Sequence, residues 1–246
     1  MTLLLRDEDL ATAFDHAARG YDALVAANPG YHAHLRRSAR RLGLGLPRRG
    51  EGLRVLDLGC GTGASTAALA AVLPGARIVA VDASAGMLER AAAKPWPDGV
   101  TFVRAAAEGL AGAGVEGPFD AVFAAYLFRN VSDPDGVLTT VRDLLAPGGR
   151  LGVHEYTLGG RRVDRAVWTA VCRGVVQPVA TVLGDGELYR HLHRSVVEFD
   201  TADRFAGRLR ATGFDAVRVL PLPGWQTGIT HTIVGRRPRT ENGAEA

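Results

Sequence analysis

Three glycines at alternate positions, Gly59, Gly61 and Gly63, follow closely on an acid, Asp57, in the stretch VLDLGCGTG (55–63). Glycine tolerates positive φ and lets a backbone approach a ligand closely. A helix opening straight out of the loop presents unpaired backbone N–H groups to whatever lies above it. Such a loop, at the carboxyl end of a buried strand, is a nucleotide-type site in an α/β sheet. The spacing is GxGxG rather than GxGxxG, and Asp57 beside it would repel a pyrophosphate but could hold a cationic amine. The pattern therefore points to a nucleoside carrying an amino-acid tail before it points to a dinucleotide. A second acid, Asp82, ends the apolar run RIVAVD (77–82). Its distance from the loop suits an acid that hydrogen-bonds ribose hydroxyls, and it could equally serve as the N-cap of the helix that follows.

These residues need a sheet to hold them. Apolar runs at 53–58, 77–82, 100–103, 119–125 and 150–155 alternate with helical patterns at 64–73, 84–93 and 134–145. Strands separated by helices imply parallel pairing with right-handed crossovers. Residues 162–176, 186–196 and 201–212 read as further helices, the last with Thr201 as N-cap and a stop at Gly213-Phe214, and 216–220 and 228–234 as a final pair of strands. Helical periodicity over 9–27 and 31–42 places two helices before the core, as a lid or as a cap on the sheet. The expected fold is an α/β, Rossmann-like, doubly wound, mostly parallel seven-stranded sheet with helices on both faces and N-terminal lid helices. Residues 1–52 would form the lid and connector, 53–236 the core with a substrate-side helical insertion at about 156–200, and 237–246 a solvated tail.

The chain has 246 residues, 29 basic against 26 acidic, and a net charge of +3. That balance makes no case for nucleic acid. The excess of alanine, glycine and arginine has the look of a GC-rich coding bias, so single arginines carry little meaning by type alone. Cys60 and Cys172 lie far apart, which offers neither a disulfide framework nor a metal cluster and suits a reducing compartment. The apolar start is too short for a signal peptide, and no stretch reaches membrane-spanning length. The expectation is a cytoplasmic protein with no metal.

Taken together, VLDLGCGTG (55–63), VAVDAS (79–84), FDAVFAAY (119–126) and LLAPGGRL (144–151) resemble the class I S-adenosylmethionine-dependent methyltransferases. A narrower similarity, to the ubiquinone/menaquinone biosynthesis C-methyltransferases, rests on LFRNVSD (127–133) against "LRNV.D" and HEY (154–156) against "EF". It rests also on ELYRHLHRSV (187–196) against "Y.YL..SI", ITH (229–231) against "ALH", and AARGYD (17–22) against "A.RYD". The resemblance implies S-adenosyl-L-methionine as cofactor. It implies contacts from Tyr21, Asp57, Gly59, Cys60, Gly61, Gly63, Asp82, Ala83, Met87, Ala106, Ala107 and Ala125, with Asp57 near the amino-acid end and Asp82 on the ribose. Two departures stand out: Ala106 replaces the acid of "GDAE" that would receive the adenine amine, and Ala125-Tyr126-Leu127 replaces Gly-Phe-Gly before "LRNV".

The implied acceptor is a quinol- or phenol-like small molecule, methylated on carbon. Its ring becomes nucleophilic when an adjacent phenol loses its proton. Arg129, just past the fourth strand, would stabilise that phenolate, with Asn130 orienting it. A guanidinium with a pKa above roughly 12 is a poor base. The alternative is that Arg129 pairs locally, with Asp133 as the obvious partner. Tyr126, His154, Tyr189 and His231 are candidates for the acceptor pocket, although a lone histidine on an apolar strand is often a satisfied core residue. Trp168 and Trp225 suit an aromatic pocket or plain packing. Membrane contact would be at most peripheral, and a homodimer is compatible with the pattern. Methylation of oxygen, nitrogen or carbon in a specialised metabolite, a dehydrogenase of related fold, and a binding protein without methyl transfer stay open as rival readings.

Overall fold

The computed structural model describes Thr12, Asp15 and residues 30–44, 49–177 and 186–239. The expected first helix lies outside these residues, save for Thr12 and Asp15, which are helical. The tail beyond residue 239 lies outside them too.

Seven short runs form one sheet: β1 (Arg54–Leu58), β2 (Arg77–Asp82), β3 (Val100–Arg104), β4 (Phe119–Ala125), β5 (Leu145–Tyr156), β6 (Asp215–Pro221) and β7 (Thr230–Arg236). Their order is β3-β2-β1-β4-β5-β7-β6. The first five strands are parallel, and β7 runs antiparallel between β5 and β6. The chain turns back on its own order between β1 and β4, the switch point where an open α/β sheet leaves a crevice above its strand ends.

Both faces are covered, because successive strand residues point to opposite sides. Leu56 and Leu58 of β1, with Val122 and Ala124 of β4, join one core together with Val137, Leu138 and Val141 of α4 (Pro134–Leu144) and Phe205 and Leu209 of α7 (Ala202–Ala211). Val55 of β1, with Ala121 and Phe123 of β4, joins the other, under Leu35 of α1 (Tyr31–Arg40) and Leu69 of α2 (Ala64–Val72). The remaining helices are α3 (Ala85–Ala92), α5 (Arg162–Val171) and α6 (Gly186–Glu198).

Local chemistry explains most of the boundaries. Asp133 caps α4, accepting from Gly136 N at 3.0 Å ahead of Pro134 at the first turn, and Thr201 caps α7. Two segments differ from the sequence expectation. Ala146-Pro147-Gly148-Gly149 reads as a turn ending a helix, yet β5 already begins at Leu145. The stretch is taken up as an irregularity, since Phe119 pairs with Leu145 while Ala121 pairs with Arg150. Gly148, at φ +81°, permits the kink. The helix expected over 162–176 is α-helical only to Val171 and continues as a π-helical turn, Cys172–Val176.

Candidate active site

A cleft of about 940 Å³ opens at the carboxyl ends of β1, β2 and β4, over the switch point. Its size is at the upper end for a small-molecule site, with room for two reactants. Of the residues singled out from sequence, Gly59, Gly61, Asp82, Ala83, Met87, Ala106, Ala107, Ala125, Tyr126, Arg129 and Asn130 line it. Asp57, Cys60, Gly63, His154 and His231 do not. Tyr21 and the Tyr189 side chain lie outside the described residues.

The three loop glycines do not all serve the same purpose. All have positive φ: +74° at Gly59, +55° at Gly61 and +91° at Gly63. A Cβ on Gly59 would come within 2.9 Å of Leu127, and one on Gly63 within 2.7 Å of the Trp96 ring, whereas one on Gly61 would meet nothing within 4 Å. Gly61 is thus the glycine whose open side belongs to the cleft. Gly63 makes room for Trp96, and Cys60 is buried with its thiol pKa raised by that burial.

Asp57 lies under the loop, fully buried. One carboxylate oxygen accepts hydrogen bonds from Ser65 Oγ at 2.8 Å and Thr66 Oγ1 at 2.6 Å. The other, Oδ1, has no hydrogen-bond partner among the described residues. Burial pushes the Asp57 pKa up to about 7, with Asp82 adding to the rise and the two hydroxyls opposing it. An unpartnered buried carboxylate oxygen beneath a loop open at Gly61 fits a ligand that brings a cationic amine.

Asp82 accepts from Gly61 N at 2.7 Å and from Ser84 N at 2.9 Å, so it ties the glycine loop to the end of β2. It is not the N-cap of α3; Ser84 is, accepting from Met87 N at 3.0 Å. Asp15 also reaches this helix start, accepting from Gly86 N at 2.9 Å and from the Ser84 hydroxyl. Asp15 and Thr12 both line the cleft. They went unremarked in the sequence because nothing in a helical pattern says which turn faces a ligand. On the wall after β3, Ala106 and Ala107 stand beside Glu108, the acid that this loop does offer.

At the other end β4 is followed directly by Tyr126, whose φ of +58° is rare for a residue with a side chain. This twist aims the Tyr126 carbonyl at the next turn, where it accepts from Arg129 Nη1 at 2.8 Å and Asn130 Nδ2 at 3.3 Å. Arg129 does not pair with Asp133, which is engaged in capping α4. Its Nη1 meets Glu155 Oε1 at 2.5 Å, with Glu155 wholly buried at the end of β5. The guanidinium also lies over the rings of Tyr126 and Tyr156, at 5.5 and 5.7 Å. Burial raises the Glu155 pKa, and Arg129 pulls it back down. The arginine is thereby fixed in direction, with Glu155 holding it from behind.

Both histidines expected at the acceptor pocket belong elsewhere. His154 is fully buried, with Nε2 at 2.9 Å from Tyr126 Oη and Nδ1 at 2.8 Å from Ser38 Oγ. Ser38 continues to Thr232 Oγ1 at 2.7 Å, and Arg41 Nη1 donates to that hydroxyl at 2.7 Å. Burial holds the His154 pKa down at about 3, so it is a neutral link that locks the Tyr126 ring. His231 is buried against Thr157 Oγ1 at 3.0 Å. Trp168 packs beside Tyr156, with ring centroids 4.9 Å apart, while Trp225 is half exposed.

The histidine that does approach the site is His191 on α6, with Nε2 3.3 Å from Asn130 Oδ1. Burial, then Arg129 and Arg194, lower its pKa to about 4. Its signal was available: in ELYRHLHRSV, His191 stands at the second tyrosine position of the "Y.YL..SI" pattern. Among the described residues no group of His, Cys, Asp and Glu side chains could hold a metal ion. No helix among them is long and apolar enough to cross a membrane.

A mostly parallel sheet with this order, a glycine loop at the switch point and an acid at the end of β2 define a methyltransferase domain. A family model described as a methyltransferase domain matches residues 55–149. The ubiquinone/menaquinone biosynthesis C-methyltransferase of Syntrophotalea carbinolica is 33% identical over 231 residues, covering 88% of this chain and 90% of that one. The demethylmenaquinone methyltransferase of Thermus thermophilus is 32% identical over 226 residues, covering 92% and 100%. This chain belongs to that family of S-adenosylmethionine-dependent methyltransferases. In fold it is similar to a methyltransferase of Thermotoga maritima described as a possible histamine N-methyltransferase. That structure has a TM-score of 0.63 and 18% identity, covering 93% of this chain and 99% of the other.

Proposed function

We propose that this enzyme methylates a ring carbon of a demethylmenaquinol- or ubiquinol-type acceptor, as the names of its relatives describe for them. The observation that carries the proposal is Arg129, which lines the cleft and is held by Glu155 and the Tyr126 carbonyl. S-adenosylmethionine supplies an electrophilic methyl group when bound. Gly61 would let the backbone approach it, Asp82 would take the ribose hydroxyls and Asp57 would serve the amino-acid end. Ala83, Met87, Ala106 and Ala107 would wall the adenine.

On the acceptor side the phenol proton leaves to water, and Arg129 holds the resulting phenolate oxygen by a charge-assisted hydrogen bond. Charge held there would make the ring carbon beside it nucleophilic toward the methyl group that the bound cofactor would supply, with the neutral thioether as leaving group. Loss of the ring proton then restores the aromatic quinol. Asn130, held by the Tyr126 carbonyl and His191, orients the hydroxyl. Alignment of the two reactants supplies much of the acceleration. The residues from 156 to 200 form the acceptor-side insertion, and the protein works in the cytoplasm, touching a membrane surface at most to reach a prenylated ring.

One observation favours a narrower or different ring: Tyr126 and Leu127 stand on the cleft wall where the related pattern has Phe and Gly. The test is methyl transfer from labelled cofactor into demethylmenaquinol and a panel of small phenols, with wild type and Arg129→Ala side by side. Labelled menaquinol formed by the wild type and lost in the variant supports the reading. An unchanged rate in Arg129→Ala removes Arg129 from the chemistry, and transfer to phenols alone moves the acceptor out of the quinol class.

A further inference from the structure

A second cavity, of about 260 Å³, lies on the α1 face near the start of β5, away from the cleft. Four arginines line it: Arg41, Arg150, Arg218 and Arg236. The sheet register brings three of them together. Arg150 of β5 is directly opposite Arg236 of β7, and Arg218 of β6 is opposite Val234, two residues from Arg236 on the same face. Leu42, just past α1, sits on that face above Gly152, which places Arg41 over the three.

Like charges directly opposed across an antiparallel pair repel, and one carboxylate meets these arginines. Asp215 engages Arg236, Oδ1 to Nε at 2.8 Å and Oδ2 to Nη2 at 3.1 Å. Arg150 donates to Leu42 O at 2.7 Å. Arg41 donates to the Leu220 and Pro221 carbonyls and to Thr232 Oγ1. Neither of these two, nor Arg218, has a carboxylate partner among the described residues. Arg37 lies close enough to Arg41 to depress its pKa further, beyond the effect of burial. Four arginines thus line one small cavity, and the carboxylate that meets them, Asp215, is already engaged with Arg236.

We propose that this cavity binds a phosphate-type oxyanion, either a free phosphate or diphosphate, or the phosphate headgroup of an anionic lipid. Planar guanidinium forks match phosphate oxygens in pairs. The cavity volume suits one such group rather than a nucleotide.

The test uses the full chain with its cleft saturated by S-adenosylhomocysteine, so that the glycine loop cannot answer for the anion. Inorganic phosphate and pyrophosphate are titrated calorimetrically. Flotation is measured with vesicles of phosphatidylglycerol in phosphatidylcholine and of phosphatidylcholine alone. Arg218→Glu and Arg150→Gln are compared with wild type; Arg41 is left intact because it anchors the buried chain to Tyr126. Pyrophosphate binding weakened roughly tenfold or more in both variants, with cofactor affinity unchanged, supports a soluble anion. Flotation with phosphatidylglycerol alone, lost in both variants, supports a headgroup. Binding of neither probe, or binding that both variants retain, overturns the site.

Discussion

The two walls of the cleft are built on different principles. The wall from β1 to β3 is backbone: glycines at positive φ, strand-end N–H groups, small alanines, and acids that brace the loop. The wall after β4 is side chain: a buried ion pair, a ring locked by a neutral histidine, and an amide held from two sides. A backbone wall accepts one invariant ligand on any sequence that spaces its glycines correctly. A side-chain wall fits an acceptor that can vary from one enzyme to the next, and a single substitution there acts on several partners.

That contrast breaks most visibly at Arg129. Removing it leaves Glu155 charged and uncompensated inside the protein, which typically costs about 3–5 kcal/mol. Arg129→Ala should therefore lower both stability and turnover, the latter by roughly 10²–10³ if the guanidinium stabilises developing charge. Adding Glu155→Gln removes the stranded charge. The double variant should recover most of the denaturation midpoint and none of the turnover. If both recover together, the arginine is structural and the side-chain wall does no chemistry.

The glycine loop sharpens the comparison from the other side. Gly63→Ala drives a methyl into Trp96 at 2.7 Å and adds left-handed strain of about 1–3 kcal/mol. It should act mainly on stability, read by chemical denaturation. Gly61→Ala carries the same order of strain, but its methyl projects into open space on the cleft side. It should act mainly on cofactor affinity, read by calorimetry. Equal losses of stability and affinity in the two variants would dissolve the distinction between a packing glycine and a binding one.

Most of the backbone wall was legible in the sequence, because glycine spacing and the acid ending β2 follow from what a strand–loop–helix turn can accommodate. The seven strands were legible for the same reason: apolar runs of strand length report burial directly. The side-chain wall was not. Arg129 was seen, but its neighbour in sequence, Asp133, was the visible partner, whereas Glu155 comes from a different strand and is brought close only by β4–β5 pairing. His154 and His231 looked like pocket residues because polarity on a strand marks either a site or a satisfied core. Only the Ser38 and Thr157 hydroxyls, distant in sequence, decide for the core. His191 was hidden by the reverse problem, as one of several polar residues on a helix whose buried face is set by tertiary packing.

The pH dependence should also divide between the walls. Asp57, with a pKa raised to about 7, holds more protons folded than unfolded between its unfolded value near 4 and about 7. Its contribution to stability therefore falls as pH rises through that window and levels off above it. Cofactor affinity should run the opposite way, since a cationic amine favours the ionised carboxylate. If only that form binds, affinity rises roughly tenfold from pH 6 to pH 8. Asp57→Asn should flatten the profile; an unaltered slope in this variant would place the titrating group elsewhere.

His191 should give the smallest effect. With a pKa near 4 it is neutral throughout the working range, so its part is to hold Asn130 rather than to exchange a proton. His191→Phe removes one hydrogen bond to the amide, worth about 0.5–1.5 kcal/mol. The expected result is a rise of a few-fold to about tenfold in the KM for the acceptor, with cofactor affinity untouched. The wild-type and variant pH profiles between 6 and 8 should run parallel, because the lost group does not titrate there. A profile that changes shape in His191→Phe would make the histidine a proton carrier. The side-chain wall would then contain a base as well as a clamp.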